Sequence, residues 1–302
     1  KLPVSLRLTS VQRTVSPRSA RMGPRISHLL QTILAREPHI QKILSIVPER
    51  LGVHFQPQPA NDEHSRHLAV LYRDNPQSLL EPGEMAIPVG SLFAIDQHGH
   101  PLLKQWVRLS KGADDAQAMQ AFFKDYASIA VPALLGMYLR YGVAFEAHQQ
   151  NSFMVMGTNG QANRLLLRDF GDIRIDRKTL HAHGLDIELH DPKMTLYDDA
   201  GFVRDKLLHT VFMCHLGELV LLSARHFDIP EGLLWDELSA QVRECFDDLR
   251  SQVEPQRWQT ERAALLEQDW PAKSFMRMRL MESHADIVGR LPNPLSTAAN
   301  VG

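Results

Sequence analysis

The rhythm of hydrophobic and polar positions changes near residue 115. Before it, the short alternating runs "HLAVLYR" (67 to 73) and "EMAIPVGSLFAI" (84 to 95) are separated by Pro, Gly, Asn and Asp, and predict strands. In the same region "RISHLLQTILAR" (25 to 36) sets Ile26, Leu29, Leu30 and Ile33 at helical spacing. The polar "KGADDAQ" from Lys111 predicts a loop or helix start. After it, "AMQAFFKDYASIAVPALLGMYLRYGVAFEAH" predicts a long helical region with Pro132 as its candidate kink. One hairpin follows, "SFMVMG" and "NRLLLRDFGDIRI" around "TNGQ", where Asn159-Gly160 supplies the backbone freedom of a tight turn. From about Gly201 onward the pattern reads as helices. The expected fold class is α+β: a mixed α/β region over 1–115, then a mainly helical domain over 116–302 that includes the hairpin.

Composition narrows the function classes. The 302 residues are 44% hydrophobic, enough for a sizeable core in two domains or lobes. Lys plus Arg number 33 against 35 Asp plus Glu, so no global field draws in nucleic acid or an anionic membrane. Any anionic ligand has to be held locally. The apolar stretch "LLHTVFMCHLGELVLLSA" from Leu207 carries His209, His215 and Glu218 and follows Arg204, Asp205 and Lys206, which predicts a buried helix and not a membrane span. Cys214 and Cys245 lack metal-ligand spacing and suit a reducing, cytoplasmic setting. The chain opens mid-strand on "KLPVSLRLTS", which is read as part of a longer polypeptide.

Two polar clusters carry the candidate chemistry. Glu146, His148, Gln150 and Asn151 precede the first hairpin strand, and Arg168, Asp169, Gly171 and Arg174 end the second, so pairing across the turn brings them to one site. Asn151 and Asp169 together offer oxygen ligands for Mg²⁺, as an Asn and a DFG-type Asp do in protein kinases. His148 is the candidate for holding a carboxylate or stabilising developing charge, with Glu146 orienting it or assisting the metal. The second cluster, "LTSVQRTVSPRSARMGPRIS", alternates hydroxyls and guanidinium forks at Ser10, Arg13, Thr14, Ser16, Arg18, Ser19, Arg21 and Arg25. A solvated basic loop and a phosphate grip both fit it; the Mg²⁺-type site elsewhere favours a nucleotide triphosphate.

These motifs, "TSVQRTVSPRSARMGPRIS" (9 to 27), "YGVAFEAHQQN" (141 to 151), "RLLLRDFGDIRI" (164 to 175) and "WPAKSFMRMRL" (270 to 280), resemble the IucA/IucC family, the NRPS-independent siderophore synthetases. The resemblance implies an enzyme of siderophore biosynthesis that uses ATP and Mg²⁺ to activate citrate or a related di- or tricarboxylic acid as an acyl-adenylate. A polyamine, amino acid or amino alcohol then captures it as amide or ester. It implies a hand-like fold in which 1–115 is part of the fingers and 116–302 the palm, with the chain being the C-terminal portion of a longer protein, and a cytoplasmic homodimer. Carried over by position, Ser10, Arg13 and Thr14 contact the triphosphate and Arg25 a phosphate or carboxylate. His148, with Arg13 and Arg25, supplies the catalytic charge. Glu146, Gln150, Asn151, Arg168 and Asp169 contact nucleotide, with Glu146, Asn151 and Asp169 as the metal ligands. Asp172 departs from the glycine expected there. The carboxylate-binding arginine of the fingers has Arg36 as its candidate.

A kinase-like phosphotransferase would share Asn151 and Asp169 but needs a catalytic Asp where this chain has His148 and Glu146. A truncated, non-catalytic interaction module is the other alternative. His181, His183, His190 and Asp191 in "HAHGLDIELHD" are read as a solvated connection, and His98 and His100 as a turn around Gly99. His209 and His215 are read as satisfied core histidines. "FMRMRLM" is read as a helix burying one side, with Lys273 or Arg279 approaching the site.

Overall fold

The computed structural model describes residues 7–8, 11–12, 14–281 and 287–296. The strands β1 (Arg7–Leu8) and β2 (Val11–Gln12) pair before α1 (Pro17–Arg36), α2 (Pro38–Ile43) and β3 (Leu44–Ile46). The ribbon strands β4 (Glu49–His54) and β5 (Ala69–Arg73) flank α3 (Asp62–Ser65), and β6 (Met85–Pro88) precedes α4 (Leu102–Lys111) and α5 (Ala116–Tyr141). Next come β7 (Val143–Ala144), the hairpin β8 (Ser152–Met156) and β9 (Ala162–Leu167), β10 (Arg174–Asp176), α6 (Arg177–Ala182) and β11 (Leu196–Tyr197). The C-terminal part holds α7 (Ala200–Leu207), a π-helical stretch (Leu208–Gly217), α8 (Glu218–Phe227), α9 (Glu231–Leu249) and α10 (Pro255–Leu266). It ends with β12 (Trp270–Lys273), α11 (Phe275–Leu280) and β13 (Val288–Leu291).

The α1 helix starts earlier than its apolar spacing suggests because Ser16 caps it: its Oγ accepts the Ser19 N–H at 3.0 Å, and Pro17 takes the first helical position, where no N–H is needed. Half of the hydroxyl and guanidinium cluster is therefore helical. Asp115 caps α5 by accepting the Ala118 N–H at 2.8 Å, and Gly142 ends it with φ +72°. The helix runs through Pro132 as one element. The hairpin forms as read, with Ser152 opposite Leu167 and Gly160 at φ +73°, in a four-stranded sheet ordered β3-β9-β8-β6. Every residue of β8 is buried.

One apolar cluster joins both sides of residue 115: Ile26, Leu30 and Leu44 share it with Phe123, Leu134, Phe212, Leu238 and Trp270. Each such side chain contributes about 1.5–3 kcal/mol by leaving water. The stretch from Ala200 to Phe227 is long and apolar enough to cross a membrane by composition, yet 67% of its most apolar window is buried inside the protein, as the sequence reading expects of a core helix.

The C-terminal part is not wholly helical. Trp270–Lys273 pairs antiparallel with Val288–Leu291, strands too short to leave a period in the sequence. On α11 Met276 and Leu280 are exposed while Met278 is half-buried.

Candidate active site

Where α5 stops at Gly142 the chain turns into β7, which pairs with β10, and then runs through residues 145–151 into β8. Buried donors fix that loop. Thr210 donates to the Phe145 carbonyl at 2.8 Å, Ser152 to the Ala147 carbonyl at 3.1 Å, and His215 Nδ1 to the same carbonyl at 2.8 Å. A carbonyl only accepts, so the His215 proton sits on Nδ1, and Nε2 accepts a hydrogen bond from the Tyr126 hydroxyl at 2.7 Å. Burial holds His215 neutral, with its pKa down at about 4. It is the satisfied core histidine expected from the sequence, and it also positions the loop. Thr210 and His215 both belong to the π-helical stretch, a geometry that recurs at functional sites.

Asn151 is buried. Its Nδ2 donates to the Glu146 carbonyl at 3.1 Å and its N–H to the His148 carbonyl at 2.9 Å. The His148 imidazole Nε2 stands 3.4 Å from Asn151 Nδ2 and 3.9 Å from Glu146 Oε1. The N–H of Arg168 donates to the Asn151 carbonyl at 3.0 Å, so the two polar ends of the hairpin meet as its register requires. Arg168 lies over the Phe153 ring at 5.0 Å and donates to the Gln150 carbonyl at 2.9 Å. Burial, and next the Arg73 charge, lower its pKa. Gln150 thus enters the site through its backbone.

Asp169 occupies the left-handed region at φ +65°, a conformation that costs a non-glycine residue energy and turns the chain sharply. Its Oδ2 lies 3.1 Å from Arg73 Nη2, and the same guanidinium is 2.7 Å from Glu49 Oε1. Burial works against the Arg73 charge, but the carboxylates of Asp169 and Glu49 outweigh it and raise its pKa. A Cβ on Gly171 would stand 3.2 Å from Ser19 Oγ and 3.7 Å from Asp169 Oδ1, so the capped start of α1 faces this turn across the glycine. Asp172, the departure from the expected glycine, has a partner: Lys206, buried at the end of α7, lies 2.5 Å from its Oδ2 and 3.8 Å from Glu146 Oε1.

Arg73, Glu49 and Lys206 are members of this constellation that sequence reasoning missed. Arg73 ends an alternating strand, and Lys206 breaks an apolar helical face between Val203 and Thr210. Those are the only local signals either residue gives. Ser10 and Arg13 lie outside the described residues, and Thr14 is half-buried just ahead of α1. Arg25 is not drawn in: it forms an ion pair with Glu188 at 2.9 Å. The Arg36 guanidinium donates to the His183 carbonyl at 3.1 Å, so its candidacy as a carboxylate-binding residue has no support in the geometry. His181 pairs with Asp186 at 3.2 Å, and among the described residues no three His, Cys, Asp or Glu side chains form a metal cluster.

A Mg²⁺ ion carried on phosphates fits this donor set. Such an ion keeps waters and phosphate oxygens and asks the protein for one or two hard oxygen ligands. Asp169 and Glu146 line one crevice with Phe145, Leu167 and Phe170, and Asn151 spends its amide N–H on the Glu146 carbonyl, which leaves its oxygen as the available donor.

Residues 1–94 match the IucA/IucC family and residues 120–287 the family described as ferric iron reductase FhuF-like transporter. The IucA/IucC match is at the N-terminal end of this chain. It does not itself show the expected assignment of the chain to the C-terminal portion of a family protein. The chain is 36% identical to "Uncharacterized protein y4xN" of Sinorhizobium fredii across 99% of its own length and 49% of the relative's. It is 25% identical to D-ornithine--citrate ligase of Staphylococcus aureus across 82% of its length and 40% of that protein. The fold is similar to ATP-bound aerobactin synthetase IucA of Klebsiella pneumoniae, with a TM-score of 0.79 at 20% identity over 98% of this chain and 52% of that one. The chain thus spans about half the length of the curated relatives it matches. With the FhuF-like match covering more than half of it and the IucA/IucC match preceding that in order, the chain belongs to the FhuF-like family through residues 120–287 and to the IucA/IucC family through residues 1–94.

Proposed function

We propose that the polypeptide containing this chain is an ATP-dependent ligase of siderophore biosynthesis, acting in the cytoplasm as a homodimer. It joins a citrate-like carboxylate to an amine or hydroxyl through an acyl-adenylate. The observation that carries the reading is the meeting of Glu146, His148, Asn151 and Asp169 with the capped start of α1 at Gly171. The citrate ligase and the ATP-bound synthetase among the similar proteins support the substrate class.

In the first step a carboxylate oxygen of the acid attacks the α-phosphorus of ATP, and the bond to the bridging oxygen of pyrophosphate breaks. A carboxylate with a pKa near ~4 is already ionised at neutral pH, so no base is needed. The charge that moves onto phosphate oxygens needs donors. In this reading the hydroxyls of Ser16 and Ser19 and the guanidinium of Arg73 serve that charge, together with Ser10, Arg13 and Thr14, which the resemblance assigns to the triphosphate. Mg²⁺, held by Asp169 and Asn151 with Glu146 beside them, would neutralise phosphate charge when bound with ATP. His148 donates to the reacting carboxyl oxygen in this reading. In the second step the nucleophile's nitrogen or oxygen attacks the acyl carbon, AMP leaves with the shared oxygen, and the nucleophile gives up one proton. The Glu146–His148 pair is placed to accept it.

The FhuF-like family name refers to ferric reduction. Cys214 lies in the π-helical stretch and Cys245 on α9, both as free thiols whose pKa values burial raises.

The test is carboxylate-dependent pyrophosphate release by the polypeptide as its gene encodes it, with citrate, succinate and 2-oxoglutarate and with hydroxylamine as acceptor. Pyrophosphate, AMP and a hydroxamate from one acid are expected. ADP with a phosphorylated product would replace the ligase reading by a phosphotransferase.

A further inference from the structure

The β4–β5 ribbon is apolar on both faces. Toward α1 it buries Ala69 and Leu71, and Gly52 comes so close that an added Cβ would stand 1.7 Å from the Ala20 carbonyl oxygen. On the outer face the register stacks three apolar pairs: Leu51 opposite Tyr72, Val53 opposite Val70, and Phe55 beside Leu68, whose carbonyl accepts its N–H at 2.8 Å. These six side chains are 37% to 65% exposed. An antiparallel ribbon with one solvated face alternates apolar with polar residues. Six large apolar side chains in cross-strand contact are the composition of a strand pair packed on both sides. Among the described residues this sheet consists of these two strands, a size that is marginal without a further packed layer.

The size of the relatives identifies the occupant. This chain accounts for 49% of its Sinorhizobium fredii relative and 52% of the aerobactin synthetase chain whose fold it shares. Half of a relative-length polypeptide therefore has no counterpart among these residues. We propose that the outer face of the β4–β5 ribbon is the docking surface for the polypeptide corresponding to that other half, which covers Leu51, Val53, Phe55, Leu68, Val70 and Tyr72 with an apolar layer. The docking has a consequence for the site. Glu49 starts β4 and Arg73 ends β5, and this pair holds Asp169, so a layer that fixes the ribbon also fixes the phosphate side of the crevice. The inference does not depend on which reaction the crevice performs.

Hydroxyl-radical footprinting of Phe55 and Tyr72 tests it, comparing the 302-residue chain with the polypeptide its gene encodes. In the gene-encoded polypeptide both rings are expected to react about tenfold more slowly, as at the dry centre of an interface. Leu51→Asp/Tyr72→Asp should restore Phe55 reactivity to that of the short chain. The milder pair Val53→Thr/Val70→Thr, which keeps strand propensity, should raise it partway with α1 still protected. Equal reactivity in the two proteins overturns the proposal, including the case in which the gene encodes nothing further. So does protection that the Asp pair leaves unchanged. Protection of the short chain that grows with its own concentration also overturns it and makes a second copy the occupant.

Discussion

The two sides of the crevice are built differently. On one side, residues 145–151 are held by buried donors from the π-helical stretch and from the hairpin itself, so the Glu146 and His148 side chains start from a backbone with little freedom. On the other side, α1 and the ribbon reach the crevice through the Arg73–Asp169 ion pair and the approach of Ser19 to Gly171. The first side is preorganised at the expense of adaptability. The second is attached by charges that the triphosphate and metal of the proposed reaction would exchange for their own. Rigid chemistry facing an exchangeable side is the division that the proposed two-step reaction, with its release of pyrophosphate, calls for.

The largest expected effects come from breaking the rigid side. His148→Ala or Asp169→Ala in the gene-encoded polypeptide should lower carboxylate-dependent pyrophosphate release by about 10²–10³-fold, with circular dichroism unchanged. Losses under about threefold would move the chemistry elsewhere. Next is the bridge between the two sides. Arg73→Met removes a guanidinium from between two carboxylates, and urea unfolding should show a loss of about 3 kcal/mol. Arg73→Met/Glu49→Gln should recover part of it, and if the double variant is the weaker of the two the ribbon side is not held by this charge.

A pH dependence separates the sides further. The folded pKa of His215 is about 4 against an ordinary 6.5, so the unfolded chain binds more protons between those values. Stability from this group is complete above pH 6.5 and falls as pH drops toward 4; about 2 kcal/mol should go between pH 7 and pH 5. The His215→Gln variant should lose that slope. The smallest effect is expected for Thr210→Val, which takes one donor from the Phe145 carbonyl and should cost about 1 kcal/mol with a modest fall in kcat.

The sequence carried the hairpin, its turn and the four residues Glu146, His148, Asn151 and Asp169, because all of these depend on local alternation and a fixed register. Arg73, Glu49 and Lys206 were not legible, since each joins the crevice through a contact between separate elements that no local period encodes. Arg25 went the other way: its place in a basic, hydroxyl-rich segment suggested phosphate, but helical phase carries it to Glu188. The strands β10 to β13 have two to four residues, too few to show a period of two. Of the two methionines read as one side of α11, Met276 is exposed and Met278 half-buried, because spacing cannot say whether a partner is present.

The π-helical stretch also sets an angular phase. In a regular α-helix the nine-residue step from Lys206 to His215 would leave them about half a turn apart, on opposite faces. The wider winding of Leu208–Gly217, at ~4.4 residues per turn, brings them within roughly 50° of each other. That is why one helix can hand Lys206 to Glu146 and His215 to Ala147, adjacent residues on the same loop. Deleting a single residue from this stretch would relax it toward ordinary pitch at little change in composition, and would turn one of those two contacts away from the site. The residue count between Lys206 and His215 is therefore as much a part of the crevice as the side chains that line it.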